Sequence, residues 1–137
     1  MNQMSLLPRS NEETIPAGHL VRLVNEAIEA LDLEILLGQY EGGGSSSYHP
    51  KMMLKVVVYA YCQKIYTSRK IAEALEENIH FMWLSGEQTP DFRTLNDFRG
   101  KRMKGVIEEV FNAVVEQWVA KGYVTLENYF VDGSKVE

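Results

Sequence analysis

The stretch PKMMLKVVVYAYCQKIY, Pro50 to Tyr66, is apolar on almost every side when wound as a helix. Such a helix has only a narrow face to offer water and is stable only where other elements surround it. It is too short to cross a bilayer, and Lys55 interrupts it. The chain must therefore supply amphipathic helices that wrap around this segment. Pro50 suits the first helical turn, where its missing N–H is harmless. Lys51 and Lys55, four apart, mark a narrow basic exposed strip. Cys62 falls inside the apolar run and reads as a small core residue; as the only cysteine it has no internal disulfide partner.

The wrapping helices are legible on both sides. Leu20, Val24, Ile28, Leu31 and Ile35 recur at three and four residues and form one stripe, which Asp32 is placed to break into a long helix and a short one. Thr67 and Ser68 are able to cap a helix over SRKIAEALEEN, with Ile71, Ala74 and Leu75 facing inward and Asn78 at its end. IHFMWLSG reads as a short helical turn that plugs the core and stops at Gly86. TPDFRTLNDFR restarts a helix with Thr89 as the expected cap, Pro90 in first position and Phe92, Leu95 and Phe98 buried. The longest helix is expected from about Lys101 to Lys121, on a spine of Met103, Ile107, Val110 or Phe111, Val114 and Trp118, with Lys121-Gly122 as its ending.

Residues 1–17 are polar, contain Pro8 and Pro16, and read as a flexible arm. They lack the basic and apolar regions of a signal peptide, so a cytoplasmic location is expected. Residues 41–49, EGGGSSSYH, read as a Gly/Ser linker inside a helical domain spanning 18–122. After Gly122 the period changes, and Tyr129, Phe130 and Val131 favour a β-strand running into Asp132-Gly133. The expected fold class is mainly α: a multi-helix bundle with a helix-turn-helix-like unit and a C-terminal strand.

The net charge of −5 hides an asymmetry. Residues 51–105 hold ten basic and six acidic side chains, between two acidic flanks. Two places within that segment have the side chains that contact DNA. At the short turn before SRKIAEAL, Arg69 and Lys70 stand at the leading end of a helix, where a helix-turn-helix meets phosphates and base edges. In DFRTLNDFRGKRMK, Arg93, Asn96 and Arg99 are expected to share an outer face, and Arg and Asn are shaped to contact guanine and adenine. Lys101, Arg102 and Lys104 extend that patch toward phosphates. A solvated helix surface has the same spacing.

Asp132-Gly133 reads either as a hairpin turn or as a carboxylate ready for a hard cation. One aspartate does not build a two-metal clamp. His19, His49 and His80 are scattered without metal-ligand spacing and are assigned structural or solvent roles. No nucleophile elbow, phosphate-binding loop or zinc signature is present.

Taken together, YHPKMMLKVVVYAYCQKIYTSRKIAEALEENIHFMWLSG, TPDFRTLNDFR and YFVDGSKVE resemble the front end of bacterial insertion-sequence transposases of the InsH-type DDE group, over about Ile15 to Glu137. The resemblance implies that the helices engage transposon-end DNA and help assemble protomers, with a homo-oligomer as a possible state and no membrane role. It implies that residues 123–137 begin an RNase H-like core, in which Asp132 is the first catalytic carboxylate and a metal ligand. It also implies a longer, Mg2+-dependent parent that holds the remaining acids, so this chain is expected to carry no cofactor and no activity by itself. Two further readings stay open: an inactive remnant acting as a repressor, and a helical oligomerisation module without DNA binding.

Overall fold

The computed structural model describes residues 17–38 and 48–123. The described residues form seven helices: α1 (Ala17–Glu29), α2 (Glu34–Gly38), α3 (Pro50–Cys62), α4 (Ser68–Glu77), α5 (Ile79–Ser85), α6 (Phe92–Phe98) and α7 (Lys101–Ala120). No strand occurs among them. The expected strand at Tyr129–Val131, Asp132 and residues 41–47 of the expected linker lie outside the described residues.

The apolar helix is central, as its composition demands. Met53, Leu54, Val56, Val57, Val58 and Ala60 of α3 are fully buried, and α1, α4, α5 and α7 all pack against it. His49 opens α3 as its N-cap, its Nδ1 accepting the Lys51 N–H at 3.0 Å. Lys51 and Lys55 do not simply face solvent. Both amines reach the Glu29 carboxylate at the end of α1, so the one polar strip of the central helix ties it to its first neighbour.

α1 begins at Ala17, the last residue of the expected arm, and buries Leu20, Val24 and Ile28. The break falls where Asp32 placed it: Asp32 Oδ1 accepts the Glu34 N–H and opens α2. At the end of α1, Leu31 N–H turns to the Ile28 carbonyl, which leaves the Ala27 carbonyl without its helical donor. Gln117 of α7 donates to it at 3.0 Å, so a side chain from the longest helix completes the first one. α7 resolves the open choice on its spine. Val110 is fully buried with Met103, Ile107, Val114 and Trp118, and Phe111 is half-buried at the margin. It closes on a Schellman motif: Tyr123 N–H reaches the Trp118 carbonyl, Gly122 N–H reaches Val119, and Gly122 takes φ +83°, a value glycine adopts without strain.

Asn78 serves two helices. Its N–H closes α4 on the Ala74 carbonyl, and its side-chain oxygen accepts the His80 and Phe81 N–H groups that open α5. α5 plugs the core with Phe81, whose ring centroid lies 4.8 Å from that of Tyr59, and with Leu84. Its other side is open: Ile79 and Trp83 are exposed.

α6 begins later than its sequence suggests. The cap is Asp91, whose carboxylate accepts the Thr94 N–H at 2.9 Å, and the helix starts at Phe92. An ionised carboxylate is a stronger acceptor than the Thr89 hydroxyl, so it takes the cap position and leaves Pro90 buried before the helix. The bond to Thr94, above all, holds the Asp91 carboxyl below its ordinary pKa.

Candidate nucleic-acid interface

Residues 63–67 connect α3 to α4. The turn is fixed at its start by a second Schellman motif: Ile65 N–H reaches the Ala60 carbonyl and Lys64 N–H reaches Tyr61. The residue at the left-handed position is Lys64, at φ +64°, where glycine is the common choice. At the far end the Thr67 hydroxyl accepts the Lys70 N–H and caps α4. Between the two caps lies Tyr66, exposed, with its ring 5.8 Å from that of Tyr61.

Arg99, just past α6, locks this turn. Its Nε donates to the Tyr61 hydroxyl at 3.1 Å, one terminal nitrogen donates to the Ser68 hydroxyl at 2.8 Å, and the other donates to the Tyr66 carbonyl. Ser68 in turn donates to the Asn96 side chain at 3.3 Å. A guanidinium presents its donors in a rigid fork, so three acceptors from α3, the turn and α4 are held at one spacing.

Arg99 therefore leaves the outer face expected for Arg93, Asn96 and Arg99. Arg93 and Asn96 are both exposed, with the Asn96 side-chain oxygen accepting from Ser68, whereas Arg99 is partly buried and directs its guanidinium at the turn and the start of α4. The reason is the close packing of α4 on α6, which puts a buried hydroxyl, Ser68, opposite residues 96 and 99. Phe92, expected to be buried, is half-exposed and has become a platform instead. The Arg69 guanidinium lies 3.8 Å from its ring centroid and the Arg93 guanidinium 5.4 Å from it. Such contacts are favourable and hold an arginine in place without neutralising it.

Arg69 and Arg93 are thus brought together from two helices separated in sequence. Lys70, beside Arg69, is exposed, as is Lys104 one turn into α7. Lys101 and Arg102 open α7, and their side chains fall outside the described set. Among the described residues the two ion pairs are those of Glu29 with Lys51 and Lys55; Lys64, Arg69, Lys70, Arg93 and Lys104 form no direct ion pair, and Arg93 lies within charge range of the Asp91 carboxylate. The first turns of α4 and α7 contain no acid and do contain cations, whereas α6 carries Arg93 in its first turn beside an acid, Asp91, at its cap. At α4 and α7 that placement runs against the helix dipole, which favours acids at an N-terminus. An approaching anion reverses the sign of the effect.

Lys64 and Tyr66 belong to this corner and were not picked out from the sequence. One signal was available: a helix end without glycine or asparagine, in CQKIY, puts a lysine in the left-handed position. No group of three His, Cys, Asp or Glu side chains among the described residues is arranged to hold a metal ion. Asp132 lies outside them. No helix of the described residues is long and apolar enough to cross a membrane.

The fold and this corner define a helical module in which Arg69 and Arg93, from two helices, share one aromatic ring. The model of the transposase domain family DUF772 matches residues 9–101, and the chain belongs to that family. The match takes in α1 to α6 and stops at the first residue of α7. It agrees with the resemblance to the N-terminal part of insertion-sequence transposases. No curated protein and no solved structure matches the chain.

Proposed function

We propose that the described helices form the DNA-engaging domain of an insertion-sequence transposase, with α3, residues 63–67 and α4 as a helix-turn-helix-like unit. The observation that carries this reading is the pairing of Arg69 and Arg93 on one aromatic ring, with neither guanidinium in a direct ion pair, although Asp91 lies within charge range of Arg93. Cations fixed in place and left unpaired are what a polyphosphate backbone needs, and α4 presents Arg69 and Lys70 in its first turn, where recognition helices meet DNA. Arg93, Lys104 and the two residues that open α7 supply further phosphate contacts. Arg99 and Asn96 contribute from behind, by fixing where α4 begins.

Assembly of protomers on transposon ends is the second part of this reading, and the stoichiometry of the bound complex reports it. In a longer parent, the resemblance assigns Asp132 to the first carboxylate of a Mg2+ site that completes DNA cleavage and strand transfer.

The test is fluorescence anisotropy of a labelled mixed-sequence duplex titrated with the 137-residue chain. Affinity is expected to fall steeply as salt rises, because each neutralised phosphate releases counterions. The double variant Arg69→Ala/Arg93→Ala is expected to bind more weakly and to lower the log–log salt slope by about two. Absence of salt-dependent binding at low ionic strength sinks the proposal and favours an oligomerisation module.

A further inference from the structure

The exposed ring of Tyr66 stands at the centre of the basic turn, with Lys64 before it and Arg69 and Lys70 after it. Large aromatic side chains lose burial energy when left in water, and about 40% of this one is exposed. Its position is nonetheless tightly held. The Tyr66 carbonyl accepts from Arg99, its ring packs against Tyr61, and Thr67 next to it caps α4. Tyr61 is anchored in turn, with its hydroxyl bonded to Arg99 and its ring 6.2 Å from that of Phe111 in α7. A rigid, half-exposed ring flanked by unpaired cations is the arrangement by which proteins take up unstacked bases: the cations track the backbone and the ring stacks on a base.

The geometry points to Tyr66 as a stacking platform for an unpaired nucleotide, so that the corner binds duplex ends with a single-stranded extension in preference to continuous duplex. This inference rests on the DNA-binding reading and adds a substrate form to it. Lys64, Arg69 and Lys70 supply the charge complementarity to the phosphates that flank the stacked base.

Three variants test it: Tyr66→Leu, which retains apolar packing on Tyr61 but has no aromatic face, Tyr66→Trp, which enlarges that face, and Arg69→Ala. Two labelled probes are compared by anisotropy at one salt concentration, a blunt duplex and the same duplex with a short unpaired tail. The wild-type chain is expected to prefer the tailed probe by about tenfold, the order of one stacked base. Tyr66→Leu is expected to lose that preference, so that the tailed and blunt probes bind alike. Tyr66→Trp is expected to keep or increase the preference, and Arg69→Ala to weaken both probes together. Equal affinity of the wild-type chain for the two probes, or a preference that survives Tyr66→Leu, overturns the inference and leaves duplex binding standing. Failure to bind either probe overturns both readings.

Discussion

A terminal nitrogen of Arg99 donates to the Ser68 hydroxyl across 2.8 Å and joins the end of α6 to the first residue of α4. With the bonds to Tyr61 and Tyr66, this makes Arg99 the clamp of the candidate interface. Arg99→Ala is expected to cost about 2 kcal/mol, because charged hydrogen bonds to partly buried groups are lost together. Arg99→Lys is expected to recover little of it, since an ammonium cannot span three acceptors set at guanidinium spacing. Urea denaturation midpoints of the three proteins report both numbers.

Lys64 offers the opposite trade. A side chain at φ +64° is strained where glycine is not, so Lys64→Gly is expected to raise stability by about 1 kcal/mol. The same change removes an unpaired cation from the basic turn and should weaken duplex binding. Thermal melting and anisotropy on one sample read the two effects.

Glu29 gives the fold an acid-sensitive joint. Hydrogen bonds from Lys55 and then Lys51, reinforced by their charge, hold its carboxyl below the ordinary value of 4.5. A carboxyl depressed in the folded state adds stability that is fully present above its unfolded pKa and is lost as pH falls through the folded one. The loss should therefore set in near pH 4.5 and continue below it. The carboxylate is half-exposed, which limits the effect to less than about 1 kcal/mol. Denaturation midpoints measured across this range should depend less on pH in Glu29→Gln than in the parent.

Cys62 is a probe of global opening. Burial pushes its thiol pKa up to about 12, so the reactive thiolate is scarce at neutral pH and the sulfur is shielded. Alkylation is expected to be slow in the native protein and to accelerate in step with unfolding. A rate that matches a free thiol under native conditions would contradict the buried position.

Elements whose partners are near in sequence were legible without coordinates. The apolar run of α3 announced its burial, Asp32 its break, and Thr67 and Asn78 their caps. Legibility failed where the deciding partner is distant. Spacing alone put Arg99 beside Arg93, because helical periodicity describes one helix and is blind to Ser68, 31 residues away. Phe92 read as core for the same reason, since Arg69 covers it from another helix. The competition between Thr89 and Asp91 for one cap is finer than pattern reading resolves.

The Arg99 clamp also bears on the order in which the chain becomes ordered. Its three bonds reach back 31, 33 and 38 residues, so during synthesis α3 and α4 emerge well before the side chain that fixes their mutual angle. Until then the Tyr61 hydroxyl, the Ser68 hydroxyl and the Tyr66 carbonyl have no donor from Arg99, and the turn is held by its two caps alone. The shared seat of Arg69 and Arg93 on the Phe92 ring is likewise completed only once α6 has followed α4.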